Sequence, residues 1–387
     1  MPDALVLQRG KGIRITTPQC LLGALRHSAG REWLVDLQMV VCEHLELLDA
    51  CYELAVSLLI HHTQTLAVRF VGLASCLNDP ADLGRWLNVP SRALFSFRPS
   101  DRDQALSVKA VPFTTPHSVA LFKAMAKPAH AAIRDAGPAA TALLFVPSRS
   151  QCQSVAADLI TQCAVDIETR GFLGRDVSTE DLEPYLARLH NAALSDLISH
   201  GIGIFHEGVH RADLALTLQL FLEGIIRVLI VARDACWTVP VRTGVVIVMG
   251  TQYIQVESNS QKQVREYSLQ EVARMQACAT RPSQSGVFHL FCQAGQRDTY
   301  MHFLSEGLPL ESELMTDTEP IEDWLQDQRN KGQIVDKQDC VESFSFTFLI
   351  RRMETNPVYY DAPVGGRDET ISRWIDRIWG SDGSGAL

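Results

Sequence analysis

Between residues 201 and 253 short apolar runs alternate with one amphipathic segment. Ile202, Ile204 and Phe205 form the first run. A segment carrying Leu214, Leu216, Leu218, Leu220, Phe221, Leu222 and Ile225 follows, and then two Val- and Ile-rich runs, 228–232 and 245–249. The spacing predicts strand, helix, strand and strand, each too short to cross a membrane. Such runs, separated by a helix, are what a parallel sheet covered on both faces requires, so the expected fold class is α/β. The same reading along the chain predicts strands over 13–16, 37–42, 68–74, 108–113 and 287–292, and over 142–149 a strand ending in a polar tip. Helices are expected after Pro18, over 52–59, 81–87 and 125–133, within 179–200, ending near 303–304, and over 338–353, where Val341, Phe344, Phe348, Leu349 and Arg352 fall at helical spacing. The Gly- and Ser-rich end, 380–387, reads as a disordered tail.

The 387 residues leave room for two to three domains, and 46% hydrophobic with 21% charged residues is ordinary for a soluble globular protein. A net charge of -10 argues against holding nucleic acid by bulk electrostatics, since that requires clustered Lys and Arg. The ten cysteines include no C-x-x-C pair, which suits a reducing compartment and points to neither a zinc knuckle nor a redox motif. An intracellular chain with no membrane partner is expected.

Two motifs invite chemistry and are set aside. His206-Glu207-Gly208-Val209-His210 fits H-E-x-x-H, which sets two imidazoles on one helical face. That chemistry needs a helix already running, whereas Gly201, Gly203 and Gly208 crowd the segment, so it reads as a loop leaving a strand and no metal is expected. Gly10-Lys11-Gly12 lacks the first glycine and the hydroxyl residue of G-x-x-x-x-G-K-[ST], whose amides and lysine hold nucleotide phosphates; it reads as a flexible turn. No other string in the chain fits that loop.

GIGIFHEGVH at 201–210, VARDACW at 231–237 and VVIVMGTQY at 245–253 resemble the second RecA-type lobe of superfamily-two DExH-box RNA helicases. The resemblance is to the spliceosomal tandem-cassette branch of that family, in its second, inactive cassette. It implies a partial first RecA-like lobe over 1–104, a complete second lobe over 105–310 with parallel sheets and flanking helices, the start of an all-α winged-helix domain over 311–379, and the tail. It implies roles at named positions. Thr17 and Pro18 match a motif on the nucleic-acid backbone, and 72–76 matches the motif coupling nucleotide to strand separation. Ser148 and Arg149 match RNA-backbone contacts; a helix N-cap serine beside an exposed arginine is the competing reading. Where the family has D-E-x-H this chain has Cys42-Glu43-His44-Leu45, so a thiol replaces the carboxylate that holds Mg²⁺, a hard cation wanting oxygen donors. Glu46 and Asp49 offer a carboxylate pair in an alternative alignment, without a partner motif. At 232–234 the chain has Ala-Arg-Asp where active relatives bind phosphate, and an aspartate there repels it. Trp237 reads as a core or lobe-interface side chain. Over 274–282, matching Q-x-x-G-R-x-G-R-P, Arg274 replaces the glutamine and Cys278 the arginine finger, while Arg281 matches the second arginine.

The resemblance therefore implies a degenerate pseudo-helicase cassette, catalytically inactive. It would serve as a protein-interaction and regulatory platform in pre-mRNA splicing, with splicing-factor proteins as partners and weak RNA contact at most. A nuclear location is implied, and no cofactor is expected where active relatives use ATP and Mg²⁺. The alternative is a fragment of an ATP-dependent RNA helicase whose phosphate loop lies upstream. Cys42 and Cys278 favour the first reading, because a missing loop does not explain them.

Overall fold

The computed structural model describes residues 12–26, 33–103, 105–166, 170–256, 261–281, 284–363 and 365–380. Gly10, Lys11 and the tail beyond 380 lie outside the described residues. Two units divide the chain, residues 1–98 together with 306–387, and residues 99–305. The sequence places domain boundaries near 104 and 310 and treats the outer pieces as separate domains; here the first and last pieces share one unit.

The N-terminal piece of the first unit runs α1 (Pro18–Arg26), β1 (Met39–Cys42), α2 (Ala50–His62), β2 (Arg69–Gly72) and α3 (Ala81–Trp86). β1 and β2 pair in parallel, Cys42 opposite Gly72. Residues 13–16, expected as a strand, are not one: Ile13 and Ile15 are 95% and 93% exposed. Alternating apolar residues make a strand only when a neighbour takes up their hydrogen bonds, and no described strand pairs with them.

The second unit begins with β3 (Leu106–Phe113), α4 (Val119–Asp135), β4 (Ala142–Val146), α5 (Arg149–Val165), α6 (Thr179–Leu186), α7 (Ala192–Ser199) and β5 (Ile202–Phe205). It continues with α8 (Arg211–Leu222), β6 (Val228–Ala232), β7 (Val245–Met249), β8 (Gln252–Val256), β9 (Lys262–Glu266), α9 (Leu269–Ala277), β10 (Gly286–Gln293) and α10 (Arg297–Glu306). Six strands form a parallel sheet in the order β3-β10-β7-β4-β6-β5. Every residue of β4, β5, β6 and β7 is buried, which explains why those runs are apolar throughout rather than alternating. Gly201 immediately precedes β5 at a φ of 79°, and a Cβ there would lie 2.1 Å from the carbonyl carbon of Phe172, so only glycine fits. The hairpin β8–β9 was not legible as a pair of strands; its exposed Ile254, Val256 and Val264 alternate with polar residues on a surface ribbon.

The C-terminal piece returns to the first unit with α11 (Glu319–Asn330), α12 (Lys337–Phe344), α13 (Phe348–Thr355) and α14 (Arg367–Gly380). The single helix expected over 338–353 is broken in two. Ser345 Oγ donates to the Glu342 carbonyl at 2.6 Å and Thr347 Oγ1 to that of Phe344 at 2.7 Å, hydroxyls competing with the helical backbone at the break. One core is built from both pieces: Leu22, Leu25, Leu54 and Leu58 pack with Trp324, Phe344, Leu349 and Trp374. α2 is buried on nearly all sides, as an element apolar all round must be. The pieces are further joined where Leu77 bridges Leu308 in parallel and where Arg352 meets Asp79, Asp82 and Glu311.

Candidate functional site

In a parallel sheet the loops that follow the strands gather at one edge, where ligands bind. β4, β6 and β5 are neighbours in register, Val146 opposite Ala232 and Phe205 opposite Val231, so the residues just past their ends meet. Arg149 opens α5 after β4, and its Nη2 lies 3.0 Å from Glu207 Oε2 after β5 and 3.4 Å from Asp234 Oδ2 after β6. Two carboxylates against one guanidinium leave the cluster net negative. Ser148 occupies the N-cap position of α5 without bonding a helix amide; its Oγ lies 3.1 Å from both Ser150 Oγ and Gln151 Oε1. The serine thus stands at the cap position without a capping bond, and the half-exposed arginine is engaged by two carboxylates. Burial, and then the charge of Arg149, push the His206 pKa down. Arg233 is turned inward, its guanidinium 3.7 Å above the Tyr253 ring and Nη1 2.5 Å from Glu271 Oε1.

The remaining stations of this unit sit around α9. Cys278 follows the last turn of that helix, buried, and its thiol donates to the Arg274 carbonyl at 3.6 Å. Burial raises its pKa, so it stands as a neutral thiol. Arg274 Nε donates to the Cys236 carbonyl at 3.2 Å. Arg281 Nη2 donates to the Ser285 carbonyl at 3.5 Å and packs where a Cβ on Gly244 would meet it at 2.7 Å. Trp237 is partly buried against the core of the unit.

In the first unit Cys42 ends β1, and burial pushes its thiol up to about 11, which keeps it protonated and unsuited to Mg²⁺. Glu43 is exposed, and its backbone carbonyl accepts from the Tyr52 hydroxyl at 2.8 Å. Pro18 begins α1 and Thr17 precedes it, its Oγ1 accepting from the Cys20 amide at 3.3 Å, an N-cap role. Sequence reasoning offered Glu46 only as half of a carboxylate pair with Asp49. Glu46 is buried, and its carboxylate accepts from the amide and the hydroxyl of Ser75, each at 3.0 Å, while Oε1 lies 3.0 Å from His44 Nδ1. Burial pulls its pKa up, but the bonds from His44 and Ser75 outweigh that and hold it below the ordinary carboxylate range. The available signal was a carboxylate four residues past a strand end with a serine three residues past the end of the paired strand. Asp49, its supposed partner, instead caps α2 by accepting from the Tyr52 amide at 2.7 Å.

A parallel sheet with charged side chains collected past the carboxyl ends of adjacent strands, in a chain whose other unit ends in a helical cluster, defines an α/β chain of the nucleotide-binding type of architecture. Comparison with known proteins finds helicases of the DExH-box type. Residues 311–382 match the profile of a winged helix-turn-helix domain. The U5 small nuclear ribonucleoprotein 200 kDa helicase of Homo sapiens is 34% identical over 296 residues, 76% of this chain and 14% of that protein. The DExH-box ATP-dependent RNA helicase DExH14 of Arabidopsis thaliana is 32% identical over 374 residues, 95% of this chain and 17% of that protein. Among solved structures, the E. coli DExH-box NTPase HrpB shares the fold at a TM-score of 0.51 and 14% identity, over 79% of this chain and 33% of its own. The chain is a homologue of the DExH-box RNA helicases and carries a winged-helix domain at its C-terminal end. It spans less than a fifth of the length of these curated relatives. No helix among the described residues is long and apolar enough to cross a membrane.

Proposed function

We propose that this chain is a degenerate helicase cassette that does not hydrolyse ATP, and that it acts in the nucleus as a protein-interaction and regulatory platform in pre-mRNA splicing. The observation that carries the first half is the chemistry at the ATPase stations. Cys42 and Cys278 are buried neutral thiols where the family places an Mg²⁺ carboxylate and an arginine finger, and Arg274 is bonded to a backbone carbonyl. A finger alone is worth on the order of a thousandfold in rate. A phosphate loop in a longer protein would restore neither group. The splicing half rests on the relation to the U5 small nuclear ribonucleoprotein helicase. The net-negative surroundings of Arg149 support weak RNA contact rather than tight binding.

Thermal melting with Mg-ATP and Mg-AMP tests the nucleotide half. A ligand specific to the native state at a hundred times its Kd adds about 2.7 kcal/mol. No rise in Tm with either nucleotide is expected, and a rise with Mg-ATP alone, accompanied by phosphate release, would return the chain to the working helicases. Co-sedimentation of the tagged chain with U5-containing particles in nuclear extract tests the other half; its absence from them removes the splicing assignment.

A further inference from the structure

The histidine that H-E-x-x-H pairs wrongly is paired differently by the fold. His210 sits immediately before α8 and His190 immediately before Asn191, the N-cap of α7, and the two rings lie 4.5 Å apart between centroids. Asp213, in the first turn of α8, lies beneath them, its residue only 1% exposed. Its Oδ1 lies 2.8 Å from His190 Nδ1 and accepts from the His190 amide at 3.1 Å. Its second oxygen, Oδ2, is buried without a hydrogen-bond partner. Ligand atoms of all three residues lie within 4.8 Å of one another. His206 takes no part: its Nδ1 accepts from the Gly208 amide at 3.0 Å.

We propose that His190, His210 and Asp213 form a binding site for a divalent cation of zinc type. Two imidazoles and one carboxylate are the donor set that a borderline-soft ion prefers over Mg²⁺ or Ca²⁺, which want oxygen alone. Bond lengths of about 2.0 Å in a tetrahedron place donors roughly 3.3 Å apart. Small rotations of the two exposed histidines close the three groups to that spacing, while buried Asp213 is held fixed. An ion on His190 Nδ1 replaces the proton that this nitrogen shares with Asp213 Oδ1; that proton passes to Nε2 or to solvent. Asp213 supplies the carboxylate donor from a buried position in the first turn of α8. Three protein ligands leave a fourth position for water. The ion would tie the loop before α7 to the loop between β5 and α8, which also carries Glu207, the partner of Arg149. The expectation that no metal binds was drawn for His206 and His210 on one helix; the present site uses a different pair, brought together by the turns before two helices.

The test is titration of the full chain, purified without a polyhistidine tag, with Zn(II) against a chromophoric chelator, and with Co(II), whose visible band reports tetrahedral coordination. One ion per chain is expected, with affinity falling at least tenfold in both His190→Ala and His210→Ala and unchanged in His206→Ala. Protection of His190 and His210, but not His206, from diethylpyrocarbonate by Zn(II) checks the same site in the unaltered chain. Absence of stoichiometric binding, binding indifferent to His190→Ala or His210→Ala, or binding lost with His206→Ala overturns the proposal.

Discussion

Replacing Arg352 with methionine probes how the first unit is held together. The guanidinium, 9% exposed, donates from Nη1 to Asp82 Oδ2 at 2.6 Å and to Asp79 Oδ2 at 3.1 Å, and in bidentate fashion to Glu311 at 2.6 and 3.0 Å. Asp79 and Asp82 belong to the N-terminal piece and Glu311 and Arg352 to the C-terminal one, so the bonds to the two aspartates join residues some 270 positions apart. Burial works against the arginine's charge, but the bonds from Glu311 and Asp82 outweigh it and drive its pKa up. Breaking a buried pair by removing one partner costs about 3–5 kcal/mol. The lower end applies here. Asp82 keeps Arg85 and Thr355, Glu311 keeps Asn356 and Tyr360, and half-exposed Asp79 adds little. A loss of about 3 kcal/mol makes the amides of α2 exchange roughly a hundredfold faster. Hydrogen exchange on the full chain reads this directly, with Val56 and Leu58 expected to lose protection while Phe145 and Ile230 in the other unit keep theirs. Pairing Arg352→Met with Glu311→Leu should recover part of the loss, since apolar replacements remove the stranded carboxylate. A change below about 0.5 kcal/mol at α2, or an equal loss at Phe145, would refute the view that the outer pieces fold as one unit around this cluster.

Glu53 gives a pH dependence of definite sign. Burial raises its pKa to about 7, with one oxygen accepting from the Leu349 amide at 2.8 Å and the other unpartnered. A carboxyl raised above its unfolded value of 4.5 contributes stability that is complete below pH 4.5 and is lost as pH rises through about 7, an effect of roughly 3 kcal/mol. Glu53→Gln should flatten that slope between those limits, as urea denaturation at a series of pH values will measure. Gly201→Ala forces a Cβ against the Phe172 backbone at a positive φ and should cost about 2 kcal/mol or more of the second unit's stability, seen as a lower urea midpoint.

The sequence alone determined the α/β class and most elements of the second unit, because fully buried strands must be apolar along their whole length and such runs can be read one at a time. The run 245–249 was read to the residue as β7. That Cys42 and Cys278 carry thiols, neither hard donors for Mg²⁺ nor positive charges, was legible for a similar reason: it is a property of the residue itself. What only the tertiary structure decided depends on which distant residues come together. The exposed 13–16 segment has strand-like alternation but no described strand to bond it. Nothing local indicates that α1 and α2 share a core with Trp324 and Trp374. The surroundings of Arg149 follow from strand order, which sets the ends of β4, β5 and β6 side by side although they are far apart in the chain. His190 stands twenty residues from His210, and no local pattern joins them; the turns ahead of α7 and α8 do so by fixing where each helix begins.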